Sequence, residues 1–108
     1  MKNYSMTSKK YKNHKRWLNA YVREWNKSLR NDDLWRGRFV IEQVSSRMEW
    51  FEDKSGGILH CLLRFKDKKT NEMILWYTDC LDMQWQMWHK LNDFICNVRE
   101  KEKLYEEK

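Results

Sequence analysis

Two short runs of turn-forming residues, Asp53-Lys54-Ser55-Gly56-Gly57 and Asp67-Lys68-Lys69-Thr70-Asn71, constrain this chain more than any other feature. Gly, Asn, Asp and Ser reach tight-turn backbone conformations at little cost. Connections this short join only antiparallel neighbours, because a parallel crossover needs a dozen or more residues. The segment between them, 58–65 (ILHCLLRF), is the clearest strand in the sequence, and it is expected to pair on both sides. On one side stands 73–78 (MILWYT). On the other, a strand opens at Phe39-Val40-Ile41, runs to about Val44 and resumes at Met48-Glu49-Trp50-Phe51. Ser45-Ser46 marks either a bulge in one bent strand over 38–52 or a separate hairpin turn. The sheet is thus expected to hold three or four strands.

Helical periodicity flanks this sheet. After Ser8, a fair N-cap, Tyr11, His14, Leu18, Tyr21, Trp25 and Leu29 recur at three- and four-residue steps, with Trp17 and Val22 beside them. Asn31-Asp32-Asp33 favours a turn and should end the helix. Asp79 or Asp82 can cap a second helix from about Met83 to Glu102. Met83, Met87, Trp88, Leu91, Phe94, Ile95 and Val98 are expected on its buried face. Residues 1–7 read as a flexible tail and 103–108 as a frayed end. The expectation is a single α+β domain spanning 1–108: an N-terminal helix, an antiparallel sheet and a C-terminal helix. This element order resembles the double-stranded-RNA-binding domain in topology. That family contacts phosphates through a Lys-rich start to its second helix, whereas Asp82-Met83-Gln84-Trp85-Gln86 stands here, so no residue role carries over.

Charge is segregated along the chain. Residues 1–30 hold nine Lys or Arg against the single acid Glu24, a net +8, whereas the other 78 residues hold 13 bases against 15 acids, a net −2. At about 100° per residue, Lys9, Lys12, Arg16, Arg23, Lys27 and Arg30 fall on one arc of the first helix, nearly opposite Leu18, Trp25 and Leu29. A solvated helix face usually mixes signs, since like charges four residues apart repel. An all-basic arc instead suits a phosphate backbone, where Lys and Arg release counterions. Trp35-Arg36-Gly37-Arg38 either extends this surface, with Arg36 and Arg38 at its margin, or is a strand entry in which Gly37 relieves strain and Trp35 packs down.

The seven Trp admit two uses. Large aromatics build a small core from few residues, and exposed ones anchor protein interfaces. Trp17, Trp35, Trp50 and Trp85 are the candidate interface anchors. Apolar residues lie on both faces of the sheet: Leu59, Cys61, Leu63 and Phe65 alternate with Ile58, His60, Leu62 and Arg64. Helices must cover both faces, or the second face meets a partner, a homodimer being the simplest.

No reaction is written in the chain. G-x-S-x-G and P-loop patterns are absent, and Gly56-Gly57 lies between strands. His60, Cys61, Cys80, His89 and Cys96 match no zinc spacing, so neither a metal nor a cofactor is expected, and the chain reads as non-enzymatic. The odd cysteine count and the absence of an apolar leader or long apolar run point to a cytoplasmic protein with reduced thiols and no membrane partner. Two functions lead, ahead of a third, a structural subunit of a homo-oligomer, that rests only on the two-sided sheet. The first is a binding protein whose basic helix contacts nucleic acid with weak sequence preference. The second is a phage or mobile-element inhibitor of a host nucleic-acid-handling enzyme, of which anti-CRISPR proteins are one kind, acting through Trp anchors and an acidic host surface. Abundant Lys and Asn beside a lone Ala20, the bias of an AT-rich genome, favour such a source.

Overall fold

A computed structural model describes residues 8–53 and 55–106, with side chains from 13 to 104 apart from Lys54. The elements are α1 (Ser8–Asn31), β1 (Phe39–Trp50), β2 (Gly57–Asp67), β3 (Met73–Asp79) and α2 (Cys80–Glu106). Their sheet has the order β1-β2-β3, with both pairings antiparallel, so this is the small single-domain α+β fold that the turns require. The register slips between Gln43 and Ser45, which makes Val44 the extra residue of a bulge within one long strand. The sheet of the described residues therefore holds three strands. The expected flexible tail, 1–7, lies outside the described residues, while α2 continues to Glu106 through much of the stretch expected to fray.

Both helices pack on one face of the sheet. Along β2, Leu59, Cys61, Leu63 and Phe65 are fully buried, and Ile58, His60, Leu62 and Arg64 between them are half-buried. The buried row joins Leu18, Val22 and Leu29 of α1 and Met83, Met87, Leu91, Phe94, Ile95 and Val98 of α2 in one core. Tyr21 Oη donates to the Met83 carbonyl at 3.5 Å, which ties the two helices side by side. Helices on both faces was one of the two arrangements expected from the sequence. It is not the one found: among the described residues, the opposite face carries no helix.

Asp79, rather than Asp82, caps α2, accepting the N–H groups of Leu81 at 2.9 Å and Asp82 at 2.8 Å. Six of the seven residues expected on the buried face of α2 are buried. Trp88 is the correction, at 60% exposed. Its step of about 100° from Met87 carries it past the arc that meets the sheet.

Arg38 is the second correction. It does not border a basic surface; its side chain is only 13% exposed and is committed to two carboxylates. Asp67, at the end of β2, is fully buried, and accepts Arg38 Nε on one oxygen and Nη2 on the other, each at 2.8 Å. Glu102 of α2 closes on the same guanidinium. The Lys69 N–H and the Thr70 hydroxyl, each at 2.9 Å, complete the shell around Asp67. Burial alone would raise the Asp67 pKa, but the Arg38 hydrogen bonds, Lys69 and Thr70 outweigh it and hold the group below the ordinary carboxylate value. In the same way Glu102 is lowered, chiefly by Arg38.

Two outcomes follow from this packing. A folded-state pKa below the unfolded one stabilises the protein above the unfolded value, near pH 4, and that contribution is lost as pH falls through the folded value. Asp67→Ala should cost about 3–5 kcal/mol at pH 7 in denaturant titrations, because it leaves Arg38 buried without its main partner. Asp67→Asn should flatten the fall in stability below about pH 4. Separately, burial, then Cys80 and Asp79, push the Cys61 thiol up to about 12, whereas Cys96 is exposed. A thiol reagent on the native protein should modify Cys96 and spare Cys61, which should react only after unfolding.

Candidate functional site

The sequence pointed to two sets of surface residues, and the fold divides them: most lie on α1 and α2, Trp35, Arg36 and Arg38 on the connection after α1, and Trp50 at the end of β1. α1 is held by its two flanks. On one, Asn26 Nδ2 donates to the Ile41 carbonyl at 2.9 Å and its Oδ1 accepts the Ile41 N–H at 2.8 Å, while Gln43 Nε2 donates to Asn19 Oδ1 at 2.7 Å. On the other, Tyr21 reaches α2. The arc left over faces solvent, and Arg16, Arg23, Lys27 and Arg30 are all exposed on it. Lys9 and Lys12 lie on the same helix, with side chains outside the described set. None of Arg16, Arg23, Lys27 and Arg30 enters an ion pair among the described residues; the acids that do are matched with Arg38, His60, Arg64, Lys69 and Lys101 instead. The charges of Arg16, Arg23, Lys27 and Arg30 are therefore unpaired among the described residues.

The Trp35-Arg36-Gly37-Arg38 segment serves the strand entry. Arg36 has a φ of 49° and Gly37 a φ of 83°, a left-handed pair that turns the chain from α1 into β1. Gly37 N–H donates to the Leu29 carbonyl at 3.0 Å, closing the end of α1. Trp35 packs edge-on against Phe39 and lies under the Arg99 guanidinium, 5.1 Å from its ring centroid. Arg36 stays exposed, its Nε 3.3 Å from the Asp33 carbonyl, and so remains at the margin of the basic surface.

Of the four Trp named as interface anchors, one is fully outside. Trp85 is 80% exposed, while Trp17, Trp35 and Trp50 are half-buried. Trp17 stacks on Tyr21, with ring centroids 5.1 Å apart. Leu81 at 56% and Trp88 at 60% join Trp85, and the three stand at i, i+4 and i+7 on α2. That spacing makes one stripe, the form in which an amphipathic helix presents anchors to a groove. Arg99 stands 18 residues, about five turns, beyond Leu81 and reaches Trp35, so the stripe runs along the side of α2 that turns towards the connection after α1. The sequence reasoning missed Trp88 and Leu81. The signal was available: two apolar arcs on α2, of which a one-sided sheet can cover only one.

Among the described residues, no group of three or more His, Cys, Asp or Glu is placed to hold a metal ion. His60 and Cys61 point to opposite faces, His60 pairing with Glu49 at 3.0 Å while Cys61 is in the core. Among the described residues no helix is long and apolar enough to cross a membrane.

Acrylamide quenching of Trp fluorescence reports the aromatic stripe directly. Replacing Trp85 and Trp88 by Phe should lower the quenching slope, and replacing Trp35 should leave it unchanged or raise it. No protein-family model, curated protein or solved structure matches the chain.

Proposed function

We propose that this protein binds nucleic acid through α1, laying Arg16, Arg23, Lys27 and Arg30 along the phosphate backbone, with Lys9 and Lys12 extending the row and Arg36 at its margin. The observation that carries this reading is the uncompensated charge: four exposed bases share one arc of α1, and no acid among the described residues pairs with them. Each phosphate contact releases counterions, so affinity should be sequence-tolerant and steeply salt-dependent. Arg38, committed to Asp67 and Glu102, has no part in it.

A second reading rests on a different observation, the exposure of Leu81, Trp85 and Trp88. In this reading the chain is an inhibitor of a host nucleic-acid-handling enzyme, α2 docking in an apolar groove with the two Trp as anchors. The basic arc then meets an acidic surface of the same host protein.

Fluorescence anisotropy of labelled duplex DNA, duplex RNA and single strands at two salt concentrations separates them. The first reading expects a log–log salt slope near −0.9 per contact for about four to six contacts. Arg16→Glu with Arg23→Glu should weaken binding about a hundredfold or more with the fold intact by circular dichroism. Absence of binding to all the probes at low salt would reject the first reading. The second would then require a protein captured from nuclease-treated lysate by the native chain and lost with Trp85→Ala and Trp88→Ala.

A further inference from the structure

The two edges of the sheet are treated differently. The N–H of Asp67 donates to the Glu72 carbonyl at 2.9 Å, so Glu72 directs its backbone at β2. Backbone direction alternates along an antiparallel strand. Ile74, Trp76 and Thr78, opposite Phe65, Leu63 and Cys61, therefore also bond to β2. The N–H and C=O groups of Met73, Leu75 and Tyr77 point away from it, to the free edge.

The same alternation turns Ile41 of β1 outwards, and there Asn26 meets both its N–H and its C=O. β1 also carries the bulge at Val44 and the charged residues Glu42, Arg47 and Glu49. These are the devices that keep an edge strand from pairing with another chain. β3 carries one charge, Asp79, at its very end, where that side chain caps α2, and neither a bulge nor a shielding side chain. Among the described residues, no group outside the sheet bonds to its free edge, and Met73 to Thr78 hold no charge, no Pro and no bulge. Its side chains stand open on both faces: Met73 is 48% exposed, Ile74 41%, Leu75 61% and Tyr77 58%.

We infer that β3 pairs antiparallel with β3 of a second copy of this chain, with Leu75 opposite Leu75 across a two-fold axis, making one continuous six-stranded sheet. This register lets Met73, Leu75 and Tyr77 each exchange both backbone groups with the second copy. It sets Met73 beside Tyr77 on the helix-free face and Ile74 beside Trp76 on the helical face. Self-pairing suits this strand because a neutral apolar segment meets itself without like charges. An open groove borders this edge, with Trp76, Asp82, Gln86 and Lys90 on its helical side and His60 and Tyr77 on the other, and the Ile74 of the second copy, opposite Trp76, meets its helical side. The two-fold axis stands normal to the sheet, so both pairs of helices share one face. The basic arcs of α1 then lie at the two far ends. The Leu81, Trp85 and Trp88 stripes face away from the new seam and stay open, so the dimer is independent of either reading of function.

Sedimentation velocity across a concentration series tests this. The native chain should reach twice the 13.6 kDa protomer mass. Leu75→Lys places two like charges opposite each other and should give a folded monomer, as should Leu75→Glu. Mixing the two variants should restore the dimer, because Lys then faces Glu. Leu75→Pro removes only an edge-directed N–H and should also be monomeric, with circular dichroism and thermal unfolding confirming the fold. A native chain that stays monomeric at roughly 1 mM overturns the inference and leaves the edge to a strand from another protein. A dimer that survives Leu75→Lys, or that is lost with Trp85→Ala and Trp88→Ala instead, also overturns it.

Discussion

The buried contact of Arg38 with Asp67 and Glu102 gathers three parts of the chain at one end of the molecule: the entry to β1, the turn from β2 into β3, and the last turns of α2. Asp67 is fully buried, so it requires a cation and further donors, and the bidentate guanidinium with Lys69 and Thr70 supplies them. The guanidinium also stands 5.0 Å from the Phe39 ring centroid, which joins the ion pair to the aromatic core. Pairing Phe39 with Asp67 sets the register of β1 on β2. A slip of β1 by one residue would turn its Phe39 and Ile41 out of the core. The contact therefore governs which residues the rest of the fold can bury, and it removes Arg38 from the basic surface.

One-sided packing creates the three features that fold stability does not explain. With α1 and α2 on the same face, each helix has an outward arc, basic on α1 and aromatic on α2. The sheet keeps an open face and two edges. Asn26 shields the edge of β1 by offering a side-chain amide to Ile41, as a neighbouring strand would. Nothing comparable reaches β3 among the described residues. The asymmetry is one of chemistry as much as position, since β1 alternates in charge along its outer half while β3 is uncharged from Met73 to Thr78.

The aromatic residues divide by the same logic. Trp17, Tyr21, Trp25, Trp35 and Trp76 are half-buried against the core, filling the rim of a small domain with large side chains. Trp85 and Trp88 do not contribute to that packing. Leaving two Trp in water sets aside the burial energy for which such residues are usually retained. Their regular spacing with Leu81 gives the exposed surface a shape that a groove can read.

Local chemistry was enough to write the element order in the sequence. The Asp53–Gly57 and Asp67–Asn71 turns, period-2 alternation along β2, and the helical repeats of Leu18, Val22 and Leu29 or Met83, Met87 and Leu91 each depend on near neighbours. The basic arc was legible for the same reason, as a property of one helix. Tertiary structure decided what depends on residues far apart. Arg38 and Asp67 are 29 positions apart, so a loop Arg and a turn Asp became a buried pair only when β1 met β2. Trp88 sits at the boundary of two arcs on α2, and whether it is buried depends on the breadth of the sheet beneath it. The shielded edge of β1 and the open edge of β3 likewise follow from where α1 lies. Periodicity says which residues share a face; only packing decides which face meets water.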